Sequence, residues 1–107
     1  MDAGAPYRID YRREVKQQLR ELARRATVAG IRDQYLEVLN ETVDRLSRTP
    51  HELGDPRHNL KHEGGVAYYA LRPPVLVFYV TFEVERLVVI LDVKPAPGSP
   101  LDVADEG

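Results

Sequence analysis

The sequence predicts an α+β domain of two layers, a helical hairpin packed on a mainly antiparallel sheet, in the chain order β-α-α-β-β-β. Three observations carry this expectation. Apolar residues alternate at a period of two near the N-terminus, change to helical spacing up to Leu46, and return as short β-branched runs between Val66 and Val93. A chain of 107 residues with 43% apolar content has the size of one domain and can bury a core without cross-links.

Residues 7–11 alternate Tyr7, Ile9 and Tyr11 with Arg8 and Asp10, the pattern of a half-buried strand. Val15, Leu19, Leu22, Ala23 and Ala26 then recur at the intervals that stack on one helical face, and residues 27–30 end that helix. Ile31, Tyr35, Val38, Leu39, Thr42, Val43 and Leu46 trace a second apolar arc. It must stop before Pro50, because the residue preceding a proline is pushed out of the helical region. So short a connection predicts antiparallel helices whose apolar faces share one partner. Residues 51–65, rich in Gly, Pro, His and Asn, read as a loop. Residues 66–71, 75–82 and 87–93 read as strands of a meander, the last two apolar on both faces and therefore covered on both. The place of the first strand in the sheet stays open. Residues 1–6 read as an N-terminal arm, 7–94 as the domain, and 95–107 as a proline-rich acidic tail, disordered or loosely docked.

The 15 Lys+Arg and 17 Asp+Glu residues fall in blocks, basic over residues 8–32, acidic over 33–55 and basic again over 57–72. With no cysteine, thiolate metal sites, cysteine nucleophiles and disulfides are excluded. No apolar run approaches the roughly 20 residues that span a bilayer, and no leader pattern opens the chain, so a cytoplasmic protein is expected. Neither a glycine-rich phosphate loop nor a Gly-x-Ser-x-Gly elbow occurs, which argues against nucleotide-dependent and serine-type chemistry.

Arg13, Lys16, Arg20 and Arg24 lie in one stripe of the first helix, a candidate surface, with Arg57, for RNA phosphates or an acidic partner. The other reading is a solvated face, partly compensated by Asp33, Glu37, Glu41 and Asp44 across the hairpin. His58 and His62 stand four apart beside Glu63, a spacing that would hold a metal on a helix; in a loop they are expected to bind none and read first as ordinary solvated side chains, with proton transfer as the functional alternative. Tyr68 and Tyr69 must face opposite sides of a strand, so one of them is free to meet a partner. Glu83 and Glu85 read as hairpin-turn acids.

The Tyr7-x-Ile9-x-Tyr11 strand, the two helices, the Leu60-Lys61 pair ahead of Gly64-Gly65, the run Val-Ala-Tyr-Tyr-Ala-Leu-Arg ending at Arg72, Val-Leu-Val-Phe-Tyr-Val from Val75, and Leu-Val-Val-Ile-Leu-Asp-Val-Lys ending at Lys94 come in a telling order. Over residues 7–94 the chain resembles the RelE/ParE superfamily of type II toxin-antitoxin toxins. The resemblance implies a RelE-like fold and a toxin held inactive by a cognate antitoxin. RelE-like members are ribosome-dependent endoribonucleases that cut mRNA without a metal, whereas ParE-like members share the fold and poison DNA gyrase. A metal-independent mRNA endonuclease without a cofactor is thus implied, and the alternative is a noncatalytic module, either a gyrase inhibitor or a protein-interaction domain. Lys61, Arg72 and Lys94 match basic positions of the family and would hold phosphate and the developing phosphorane charge, with His58 or His62 moving protons. Two departures stand beside these matches. Val75 occupies a place where the nucleases carry arginine, and residues 95–107 contain no Arg, His or Tyr.

Overall fold

The computed structural model describes residues 5–62 and 64–102, with the side chains of residues 57–62 outside the description. β1 (Arg8–Tyr11) leads into α1 (Arg13–Ala29), α2 (Arg32–Arg48) and the short α3 (Pro50–Leu53), followed by β2 (Asp55–His62), β3 (Gly65–Arg72), β4 (Val75–Phe82) and β5 (Leu87–Pro95). The strands form one sheet of five in the order β1-β5-β4-β3-β2. β2 to β5 run antiparallel to their neighbours, and β1 closes the other edge parallel to β5. A parallel pair requires a long connection, which the helices and the meander supply.

Gly30 makes the helical hairpin possible. It ends α1 at φ 78°, the left-handed conformation that glycine adopts without a Cβ penalty, and its N–H meets the carbonyls of Ala26 and Thr27. α1 then buries Val15, Leu22 and Ala26, and α2 buries Tyr35, Thr42 and Leu46. Both pack on Val75, Val77, Tyr79, Val88, Ile90 and Val93 of the sheet. The Tyr35 hydroxyl ties the helices together by donating to the Leu19 carbonyl at 2.8 Å, and burial pushes its pKa up to about 12. Where β1 stops short of the end of β5, Gln18 takes its place. Its Oε1 accepts the Val93 N–H at 2.9 Å and its Nε2 donates to Asp92 at 2.6 Å. Among the described residues no helix is long and apolar enough to cross a membrane.

Two segments differ from the sequence reading. Residues 51–65 are not a loop: Pro50 opens the turn of α3, and Asp55–His62 forms an edge strand on β3. Nothing in Asp-Pro-Arg-His-Asn-Leu-Lys-His alternates or favours a strand, so it is the free edge of β3 that recruits it. An edge position and a register shift between Pro56 and Lys61 accommodate the proline. The second difference is the start of the tail. Ala96 donates to the Pro74 carbonyl at 2.9 Å, Arg25 donates to the Leu101 carbonyl at 3.1 Å, and Leu101 is fully buried in the core. One leucine placed against the helical layer outweighs the proline-rich composition around it.

Leu101→Ala is therefore expected to destabilise the protein by about 2–5 kcal/mol in urea unfolding, the range for a buried leucine. A loosely attached tail would keep the change within about 0.5 kcal/mol.

Candidate functional site

Strand alternation gives the sheet two different faces. Tyr68, Ala70, Val77, Tyr79, Val88 and Ile90 point into the helical layer as part of the core. Their neighbours Ala67, Tyr69, Leu71, Leu76, Phe78 and Val80 point the other way, aligned by the pairs Tyr69↔Phe78 and Leu71↔Leu76. Tyr69 is 39% exposed and Leu71 57%, so it is Tyr69, not Tyr68, that is available to a partner. The Tyr69 and Phe78 rings lie 6.4 Å apart, tilted by 33°, and Lys94 Nζ stands 5.8 Å from the Phe78 centroid. Asp92 sits 3.5 Å from the same ammonium. An apolar and aromatic strip with a cation at its rim can take the apolar side of a peptide or stack an unpaired base.

The basic residues singled out from the sequence are divided by this register. Lys94 pairs with Leu76 and belongs to the aromatic face. Arg72 pairs with Val75 and turns toward the helices, its guanidinium 3.6 Å from Glu41 of α2 and its side chain only 24% exposed. Thus Arg72 and Lys94 lie on opposite faces of the sheet and do not converge on one phosphate. Lys61 and His62 have backbone partners Val66 and Gly65, which places the His58–His62 pair on a strand. The side chains of Arg57, His58, Lys61 and His62 lie outside the described residues. Among the described residues, no three metal-binding side chains cluster.

On α1, Arg13, Lys16 and Arg20 are exposed and have no ion-pair partner among the described residues, while Arg24 binds Glu21 at 2.7 Å. Among the described residues the expected compensation from α2 is not seen. Glu41 meets Arg72 and Asp44 meets Arg48, partners that stand closer than the far side of the hairpin.

A cluster that no sequence spacing reveals lies at the other end of the sheet. His51 Nδ1 is 2.8 Å from the Tyr68 hydroxyl, and its Nε2 contacts the Glu83 carboxylate. The Tyr7 hydroxyl donates to both Glu83 oxygens, at 2.8 and 3.0 Å, and the Arg86 guanidinium lies 4.2 Å from the Tyr7 ring centroid. These hydrogen bonds, Tyr7's first and then His51's, hold the Glu83 carboxyl below the usual carboxylate range. Burial, helped by the Glu83 charge, raises the Tyr7 and Tyr68 phenols. In the sequence Glu83 reads as a turn acid because its hydrogen-bond partners, His51 and Tyr7, are 32 and 76 residues away. Along β3 Tyr68 stands four residues from Arg72, about 13 Å, and Glu83 lies beyond the far end of β4, so His51 sits apart from both Arg72 and Lys94.

Because the folded-state pKa of Glu83 is depressed, its stabilisation is complete above the ordinary value near 4.5 and is lost as pH falls through the folded value. Glu83→Gln is expected to flatten the acid side of a plot of urea midpoint against pH. An unchanged acid limb would show that Glu83 does not hold this corner together.

No family model matches the sequence, and no curated protein does. The solved structures that match the fold include two toxin-antitoxin complexes. The RelBE2 toxin-antitoxin complex from Mycobacterium tuberculosis is 25% identical, with a TM-score of 0.62 over 85% of this chain and 92% of that chain. The archaeal RelE-RelB complex from Pyrococcus horikoshii OT3 is 21% identical, with a TM-score of 0.63 over 87% of this chain and 98% of that chain. A helical hairpin laid on a five-stranded, mostly antiparallel sheet is thus an arrangement this chain shares with these structures, and its fold is that of the RelE-like toxins.

Proposed function

We propose that this chain is the toxin of a type II toxin-antitoxin pair, acting in the cytoplasm and held inactive by a cognate antitoxin segment laid over the Tyr69–Leu71–Phe78 strip. The observation that carries the reading is the RelE-like fold, seen in neighbours that were solved as complexes of a toxin with an antitoxin. The exposed Tyr69 and Leu71 support it, since apolar surface on a sheet face is stable in water only when small or covered.

The activity that fits this reading is metal-independent cleavage of mRNA on the ribosome. Attack by a 2′-hydroxyl needs a proton acceptor, a proton donor for the leaving oxygen, and cations for the charge that builds on phosphorus. Lys94 supplies one cation beside Phe78, on whose ring a base can stack. Lys61 supplies a second, and His58 or His62 moves the protons; these three are assigned from their place in the sequence. Arg72 is left out of the reacting set, because it already faces Glu41 on the helix side. That same separation favours a second reading, a noncatalytic toxin that blocks DNA gyrase or another protein target.

Induced expression in a bacterial host, with growth and mRNA 5′ ends followed over the first minutes, separates the readings. Growth arrest that antitoxin co-expression relieves is the expected result, with new ends inside translated codons that fall at least about tenfold in Lys61→Ala and Lys94→Ala. Arrest with intact mRNA would move the target to gyrase or another protein, and no arrest would remove the toxin reading. Leu71→Asp, whose side chain is exposed, should leave the circular dichroism unchanged and weaken antitoxin binding by about tenfold or more.

A further inference from the structure

A bulge in β5 decides where Asp92 points. Val88, Val89 and Ile90 pair in step with Thr81, Val80 and Tyr79, and the register then shifts so that Asp92, not Leu91, stands opposite Phe78. Without the extra residue Asp92 would pair with Val77 and face the core; with it the carboxylate comes up on the uncovered aromatic face, the re-aiming that bulges produce. Gln18 then fixes it. Its Nε2 donates to Asp92 Oδ1 at 2.6 Å while its Oε1 accepts the Val93 N–H at 2.9 Å, so the amide cannot turn over without losing both bonds. On the other side Lys94 Nζ lies 3.5 Å from Asp92 Oδ2 and 5.8 Å from the centre of the Phe78 ring. A carboxylate that only paired with a surface lysine would need no half-buried glutamine to orient it.

Lys94 Nζ, Asp92 Oδ2 and Asp92 Oδ1 thus follow one another as donor, acceptor and acceptor beside an aromatic ring. The complement is a flat ring whose edge reads acceptor, donor, donor. Among the RNA bases guanine alone has that edge, in O6, N1–H and N2–H. Adenine and cytosine each place a bare ring nitrogen beside their amino group, and uracil has one donor between two acceptors, so none of them meets both carboxylate oxygens. We infer that this corner of the aromatic face is a guanine site: the base stacks on Phe78, donates N1–H and N2–H to Asp92, and accepts on O6 from Lys94. Opposed Cβ atoms in a sheet stand about 5 Å apart, close enough for a base stacked on Phe78 to bring its edge to Asp92. Lys94 has a further N–H for phosphate, in keeping with its place in the cleavage scheme. The inference rests on the RNA-directed reading of this face and adds the base that the face selects. An oriented pair of acceptors left without its donors is what rejects the other bases.

The test is titration of the full chain with the 2′-O-methyl RNA pentamers UUGUU, UUAUU and UUUUU, which lack the attacking hydroxyl, followed by amide NMR shifts. UUGUU is expected to bind at least about tenfold more tightly than the other two, with shifts centred on Phe78, Asp92 and Lys94. Asp92→Asn keeps the shape and an acceptor for Gln18 but turns the other acceptor into a donor, and it should bring the preference for guanine below about twofold. Phe78→Leu should weaken all three pentamers together. The comparison of pentamers on the unaltered chain needs no variant to fold. Equal binding of the three, or a guanine preference that survives Asp92→Asn, overturns the inference and leaves the cleavage reading standing. No binding of any pentamer at millimolar concentration overturns the site together with the stacking of a base on Phe78. Cleavage itself is read from the mRNA 5′ ends, so either reading can fail alone.

Discussion

The Tyr79 hydroxyl donates to the Pro50 carbonyl at 2.7 Å inside the core, and much of the architecture turns on that bond. Tyr79 stands in β4, the middle strand of the sheet, and Pro50 begins α3 where the helical layer ends. A buried carbonyl is satisfied best by a well-placed donor, and one left short of partners is costly. Tyr79 answers that need from across the core. Its ring also stacks on Tyr68 at 5.3 Å, so the residue that anchors α3 also positions the phenol that meets His51. The approach is so close that a Cβ on Gly54 would come 2.8 Å from the Tyr79 hydroxyl and 2.5 Å from the Tyr69 carbonyl. Glycine is what lets the chain leave α3 and pass directly onto the edge of β3 as β2.

The two faces of the sheet then take different roles for a simple reason. A strand has only two directions for its side chains, and the helices claim one of them. Arg72, drawn to that side, ends beside an acid of α2 with its Nε buried and unpartnered. Lys94, one register step away on β5, ends beside an aromatic ring on the uncovered side. Two cations close together in space are thereby separated by the thickness of the sheet. What remains on the uncovered side is a strip whose chemistry favours partner contact over a solvent-facing role.

The corner formed by Tyr7, His51, Tyr68 and Glu83 has the ingredients of acid–base chemistry, but both ring nitrogens of His51 are engaged and Glu83 already accepts from Tyr7. Such a fully paired arrangement serves to hold elements in place. It joins the residue ahead of β1, the start of α3, the middle of β3 and the β4–β5 turn. Arg86 adds to the same corner by lying over Tyr7 and donating to the Ala5 carbonyl.

Local pattern was enough to determine the helical hairpin, the first strand and the three-strand meander, because helical and strand periodicities are properties of neighbouring residues and Gly30 and Pro50 punctuate them at the chain level. The order of residues along β3 was also enough to establish that Tyr68 and Tyr69 part company. It could not determine β2, which has no strand pattern of its own and exists through pairing with β3, nor the docking of Leu101, which depends on a gap beside α1 rather than on the prolines around it. Less of the candidate site was legible: the facing of both Arg72 and Lys94 depended on the register among β3, β4 and β5. Long-range contacts alone decided the His51–Glu83 corner and the choice of Tyr69 as the outward ring. Each of these requires residues far apart in the chain to meet, and periodicity carries information only about which way a side chain points, not about what it finds there.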